Sequence, residues 1–227
     1  MSSEVEEKIF KYFMKYGSHY DENCTDFIVR NMEEYLRTGK PVDVISQVAY
    51  AIGERPEVGE TRYDTFFEYL KQNGHLDKNI LEVSCGRYPA LADMIDKYQR
   101  KTGLGTIAAY DPCLVTTSLG NIKLYRDFFN HDTDISAYTL LTGLYPCHTT
   151  LNIIRKANAE DKDFVIGLCG CIHSFNEPKV RPEPTYEGWL DHLQEVAQRT
   201  VHDDREIVLE DVKGLKYPVI SSRRKMK

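Results

Sequence analysis

The sequence predicts an α/β fold: a seven-stranded, mostly parallel, doubly wound sheet preceded by a helical cap. Three observations carry this prediction. Through residues 1–76, apolar side chains recur at helical spacing and stop at glycines. From Asn79 onward the pattern changes to short runs that are apolar throughout, separated by turns and helical stretches. Such runs belong to strands buried on both faces, as in a parallel sheet covered by helices. The last two runs are joined by a short link containing Gly214, which suits an antiparallel hairpin at one edge. The chain thus divides into a cap, residues 1–76, and a sheet domain, residues 77–227.

The cap reads as four short helices. Ile9, Phe10, Phe13 and Met14 form a stripe ending at Gly17, and Phe27, Ile28, Met32, Tyr35 and Leu36 one ending at Gly39-Lys40-Pro41. Ile45, Val48, Ala49 and Ile52 end at Gly53, and Tyr63, Phe66, Phe67 and Leu70 at Gly74. These aromatics read first as core, and a cap of this size can also close over a pocket. In the sheet domain, strands are expected at Ile80 to Val83, Thr106 to Tyr110, Ile122 to Tyr125, Tyr138 to Leu141, Phe164 to Leu168, Ile207 to Leu209 and Pro218 to Ile220. Helices are expected at Pro89 to Arg100, where proline suits the first turn, at Thr149 to Ala159 and at Tyr186 to Arg199. A short helix from Cys113 to Ser118 is a weaker expectation.

Composition narrows the function classes. The chain has 227 residues, 41% of them hydrophobic, enough to build a core. Its longest stretch without Asp, Glu, Lys or Arg, Ile135 to Ile154, contains Gly143, Pro146 and His148 and is no membrane span. The N-terminal MSSEVEEKIF has acids where a signal peptide has basic residues, so a cytoplasmic location is expected. With 29 basic and 35 acidic residues the net charge is −6, against a general phosphate binder. The one dense basic cluster, Arg223, Arg224, Lys225 and Lys227, reads as a solvated terminus. The six cysteines lack CxxC spacing and are expected to be thiols rather than a disulfide framework.

Ligands of an open parallel sheet bind beyond the carboxyl ends of its strands, near the point where strand order reverses. The loops after each strand therefore carry the chemistry. After the first, Leu81-Glu82-Val83-Ser84-Cys85-Gly86-Arg87-Tyr88-Pro89 turns at Gly86 into a helix. Glycine there lets the backbone approach a ligand, and the helix start offers free amides. Asp111 ends the second strand, where an acid can accept hydrogen bonds from both ribose hydroxyls of a nucleoside.

On Ile80-Leu81-Glu82-Val83-Ser84-Cys85-Gly86, on Ala109-Tyr110-Asp111 and on the final hairpin, residues 79 to about 222 resemble the class I S-adenosylmethionine-dependent methyltransferase superfamily. The resemblance implies a Rossmann-like domain with S-adenosylmethionine as cofactor. It implies that Ser84, Cys85 and Gly86 hold the methionine part, that Asp111 holds the ribose and that Glu82 orients the loop. It places Asp127 beside the adenine amine and Phe128 against the adenine ring. The family's loop usually has glycine where Ser84 and Tyr88 stand, so Tyr88-Pro89 brings bulk toward the methionine tail. The segment between the second and third strands is short, so its helix is expected to be reduced or lost.

After the fourth strand, Thr142-Gly143-Leu144-Tyr145-Pro146-Cys147-His148 borders the pocket where the family binds its methyl acceptor. It lacks the Asp or Asn followed by two prolines and an aromatic that nucleobase amino-methylating members use. His148, whose side chain titrates near neutral pH, is the candidate base, with Tyr145 the second catalytic candidate. The plain alternative is that His148 only begins the next helix, capped by Thr149 or Thr150. After the fifth strand stands Cys169-Gly170-Cys171-Ile172-His173-Ser174, where Cys and His suggest a metal although CxC is tight for one. Cys85, Cys113, Cys147, Cys169 and Cys171 all fall near strand carboxyl ends, on one rim. No metal is expected.

The expected activity is methyl transfer to a small molecule or a protein side chain. The expected partner is a small-molecule acceptor, with no membrane and no nucleic acid, and a homodimer as the assembly considered. Two other readings stay open: a nucleoside-ligand-binding protein that keeps the fold without catalysis, and a metal- or thiol-dependent enzyme using the Cys/His rim.

Overall fold

The structure is a computed structural model and describes residues 3–16, 22–39, 43–56, 61–170 and 185–225. Helices α1 (Ser3–Tyr16), α2 (Glu22–Thr38), α3 (Asp43–Ala51) and α4 (Arg62–Gln72) come first. They are followed by β1 (Asn79–Val83), α5 (Ala90–Thr102), β2 (Thr106–Tyr110), β3 (Lys123–Tyr125), β4 (Leu140–Leu144), α6 (Thr150–Ala159), β5 (Asp163–Gly167), α7 (Tyr186–Thr200), β6 (Arg205–Glu210) and β7 (Val219–Arg224). The expected four helices and seven strands are thus present. The expected helix from Cys113 to Ser118 is not: these residues form turns, held by Leu114 N–H to the Asp111 carbonyl and Val115 N–H to that of Arg87.

The seven strands form one sheet in the order β3-β2-β1-β4-β5-β7-β6, parallel except for β7, which is antiparallel to both neighbours. Strand order reverses between β1 and β4, leaving a crevice at their carboxyl ends. No helix fills the connection from β2 to β3, as expected from its length.

Two cores lie against the sheet. On one face α6 and α7 cover Leu81, Val83, Leu141, Phe164 and Ile166 through Ile153, Ile154, Trp189 and Leu193. On the other, α5 is joined by α4, whose Tyr63, Phe66, Tyr69 and Leu70 pack with Ile80, Leu140, Val165 and Val219. Helices α1 to α3 pack among themselves around Ile9, Ile28, Met32, Ile45 and Val48. Phe10, Met14 and Phe27 from the apolar stripes are exposed instead. Among the described residues no helix is long and apolar enough to cross a membrane.

The C-terminal limits of β4 and β7 lie beyond expectation because of partners distant in the chain. Strand β4 continues through Thr142 and Gly143, which read as loop. Thr142 donates its hydroxyl to the Val165 carbonyl at 2.8 Å, and a Cβ on Gly143 would meet the Val83 carbonyl at 2.8 Å. Strand β7 runs four residues past Ile220. The side chain of Ser222 accepts from Phe164 N–H at 3.0 Å, so small hydroxyls are built into the core. Arg223 is consequently no solvated tail residue: it is a strand residue bonded to the Tyr69 hydroxyl and to the Glu210 carboxylate. Lys225 closes the edge on the Asp203 carbonyl at 2.7 Å.

Candidate functional site

A cavity of about 330 Å³ opens at the carboxyl ends of β1, β2 and β4, within the range of small-molecule sites. Its floor is the turn after β1. Ser84 has φ 59°, the left-handed backbone usually left to glycine, and Gly86 has φ 76°. The turn is held from β2: Ser84 N–H donates to the Tyr110 carbonyl at 2.8 Å and Gly86 N–H to Asp111 Oδ2 at 2.9 Å. The other oxygen of Asp111 accepts from Cys113 N–H at 2.7 Å. Asp111 therefore fixes both loops that flank it, while each of its oxygens keeps acceptor capacity.

Glu82 lies buried below this turn and accepts from Ala92 N–H at 2.9 Å, at the start of α5. Burial pushes its carboxyl up to about 8, against the pull of that amide, with a further push from Asp111. Burial likewise pushes the Cys85 thiol well up.

Tyr88, expected to obstruct the methionine tail, points elsewhere. Its ring is buried in the core, 5.9 Å from Tyr50 of α3, and is not part of the cavity wall. The bulk that meets the turn comes instead from Gln47 of α3, whose Oε1 accepts from Arg87 N–H at 3.2 Å. A Cβ on Gly86 would lie 2.2 Å from the Gln47 amide nitrogen.

The far wall comes from the turn after β4. Tyr145 and Cys147 are also left-handed, at φ 61° and 48°, so three non-glycine residues in this conformation border one cavity. Tyr145 N–H donates to the Gly167 carbonyl at 2.8 Å. His148 lies exposed in a short 3₁₀ turn, Cys147–Thr149, and borders the cavity. Neither threonine caps α6: Thr149 makes no capping bond, and Thr150 donates its hydroxyl to the Cys147 carbonyl.

The cavity therefore brings together Glu82, Ser84, Cys85, Gly86, Asp111, Phe128, Tyr145 and His148. Asp127 stands outside its wall, exposed, its carboxylate accepting from the N–H of Phe128. Of the cysteine rim, Cys85, Cys113 and Cys147 border the cavity, and Cys169 touches Cys147. Cys171 and His173 lie outside the described residues.

Sequence reasoning missed the residues that α3 and α4 contribute, Gln47, Arg62 and Tyr63. The Arg62 guanidinium lies 5.0 Å from the ring centres of both Tyr63 and Tyr145. It stands in the first turn of α4, where the helix dipole disfavours a cation. That placement, one residue after the capping Thr61, is the signal that marks Arg62 in the sequence. Gln47, inside an apolar stripe, carries none.

No protein-family model matches the chain, and no curated protein matches it in sequence. Among solved structures it is similar to the CMeT domain of the citrinin polyketide synthase, at 10% identity and a TM-score of 0.52, over 83% of this chain and 58% of that one. The chain thus spans little more than half the length of that structure. It is also similar to an O-methyltransferase from Bacillus cereus in complex with SAH, at 10% identity and TM-score 0.48, covering 85% of this chain and 96% of that one. A SAM-dependent methyltransferase from Aquifex aeolicus matches at 14% identity and TM-score 0.45, over 69% and 88% of the two chains. At these identities the likeness is one of fold.

Proposed function

We propose, taking the class I methyltransferase fold as premise, that this protein transfers a methyl group from S-adenosylmethionine to a small molecule. The observation that carries the reading is one cavity in which an acid ending β2 and a left-handed turn after β1 meet at the reversal of strand order. The residues fit the group: the space where a Gly86 Cβ would stand is bounded by the end of the Gln47 side chain rather than by backbone, and Tyr88 is turned away. Ser84, Cys85 and Gly86 would hold the amino-acid part, and Asp111 the ribose, on the lone pairs its two backbone donors leave. S-adenosylmethionine supplies, when bound, a methyl group on a cationic sulfur that an electron pair displaces in line.

The protein's part is positioning, which supplies most of the acceleration in such a displacement. Arg62, Gln47 and Tyr63 line the cavity from α3 and α4, and its volume of about 330 Å³ suits a small acceptor. His148, at the cavity's edge, would take the proton of an acceptor hydroxyl or amine, and Tyr145 would align it. A calorimetric titration with S-adenosylhomocysteine tests the reading: saturable binding is expected, and no heat at millimolar ligand overturns it.

A ligand-binding protein without turnover is the second reading, favoured by Gln47, which already holds the amide of Arg87. Binding of both S-adenosylmethionine and its demethylated product, with no methyl transfer to any acceptor in a broad small-molecule panel, would select it.

A further inference from the structure

The sulfurs of Cys147 and Cys169 lie 3.5 Å apart, and neither has a part in the methyl transfer proposed above. Their meeting is a product of topology. Strands β4 and β5 are parallel neighbours with Leu144 in register with Gly167, and each cysteine follows its strand by two or three residues. Neighbouring strands are about 4.8 Å apart, inside the Cα separation of roughly 4.4–6.8 Å that a disulfide spans. The bond from Tyr145 N–H to the Gly167 carbonyl ties the two turns together. Bringing the sulfurs to a bond length of about 2.05 Å therefore asks for side-chain rotation and a small shift of one turn.

The two thiols are not equivalent. The Cys147 sulfur lies 3.5 Å from the Cys169 sulfur and 3.5 Å from the Tyr145 carbonyl, to which its S–H donates. Cys147 also borders the cavity, within reach of a small oxidant, and has the left-handed backbone. Cys85 is the contrast: it is buried, and burial holds its thiol protonated.

We propose that Cys147 and Cys169 form a reversible redox site, oxidised to a disulfide by a hydroperoxide, and that the disulfide rearranges the shared cavity wall at Tyr145 and His148. The Cys147 thiolate attacks one peroxide oxygen, the O–O bond breaks, and the departing oxygen takes a proton, leaving Cys147 as the sulfenic acid. The Cys169 sulfur then attacks the sulfenyl sulfur: the S–S bond forms, the S–O bond breaks, and hydroxide leaves with the Cys169 proton as water. Two electrons pass from the two thiols to the peroxide, and a dithiol reductant returns them by exchange. Cys147 stands between Tyr145 and His148, so drawing it toward β5 displaces both from the cavity wall.

The test uses the full chain. Hydrogen peroxide in slight excess should lower the intact mass by about 2 Da, reversibly with dithiothreitol. Arg155, Lys156 and Lys162 separate the cysteines in sequence, so trypsin should yield two peptides joined until reduction, with fragmentation placing the link at Cys147 and Cys169. In Cys169→Ser the link should vanish and a sulfenic-acid trap should label Cys147. In Cys147→Ser that label should be lost. A link through Cys171 or another cysteine, or labelling of the wild type without any link, overturns the site. The effect on the cavity rests on the proposed function and is read separately. S-adenosylhomocysteine affinity should fall at least tenfold on oxidation and return on reduction, and unchanged affinity overturns the rearrangement of the wall. If the reduced protein binds no S-adenosylhomocysteine while the link still forms as described, the functional reading fails and the redox site stands.

Discussion

Asp111 has two duties, because its carboxylate holds the amides of Gly86 and Cys113 before any ligand arrives. Asp111→Ala should weaken S-adenosylhomocysteine binding by roughly 2–4 kcal/mol, through lost charge-assisted bonds and a loosened turn. Titration calorimetry checks this, and an unchanged affinity would remove the aspartate from the site. Glu82 sets a pH dependence. Its folded pKa of about 8 lies above the unfolded value, so the folded state holds a proton that the unfolded state has released. Stability should therefore fall as pH rises from the unfolded carboxylate range through about 8. His75 has the opposite slope: burial pushes its imidazole down to about 4, with Lys78 adding to the effect, so stability falls as pH drops from the ordinary histidine range through about 4. Between the ordinary carboxylate and histidine ranges the two slopes oppose and cancel, so these groups together predict a plateau that falls on its alkaline side through about 8, measured by denaturant unfolding across pH. Glu82→Gln should flatten its alkaline side, and an unchanged alkaline slope would refute the assignment to Glu82.

Helix α4 shows how one element serves fold and site together. Its start is set by a capping box in which Thr61 accepts from Asp64 N–H and Asp64 accepts from Thr61 N–H. That start puts Arg62 and Tyr63 at the cavity, while Phe66, fully buried, packs on the sheet near Gly167. Phe66→Ala should cost about 3–5 kcal/mol in denaturant unfolding, the usual loss for a buried aromatic. The turn after β1 offers a second test. Gly86→Ala meets the Gln47 amide and also forces alanine into a left-handed backbone, a strain of about 1–2 kcal/mol. Adding Gln47→Ala should relieve the clash but not the strain, so a double-mutant cycle should give a coupling on the order of 0.5–3 kcal/mol and incomplete rescue. Additive effects would mean that Gln47 and Gly86 do not meet.

At the scale of the molecule, the first 76 residues divide their loyalties. Helices α1 to α3 have their own core, whereas α4 is part of the sheet's. Removing residues 1–56 should leave a cooperatively unfolding protein with weakened ligand binding, since Gln47 goes. Removing residues 1–75 strips Phe66 and Leu70 from the core and should abolish cooperative unfolding. Circular dichroism on both truncations separates these outcomes, and cooperative unfolding of both would show α4 to be dispensable. Much of this plan was legible in the residues alone. Runs apolar throughout located the central strands β1, β2, β4 and β5, because burial on both faces leaves no alternation, whereas β3 and β6 are part-exposed edge strands. Gly86 and Asp111 marked the cavity because each sits where a parallel strand ends. The tertiary structure decided what depends on partners distant in the chain. It decided that Thr142, Gly143 and Ser222 are strand, because their hydroxyls or lack of a Cβ suit a neighbouring backbone. It decided that Tyr88 turns toward Tyr50 while Gln47 covers the turn, and that Cys147 meets Cys169 across a parallel pair. Local periodicity reports which face of an element is buried, and only the packed chain says what it is buried against.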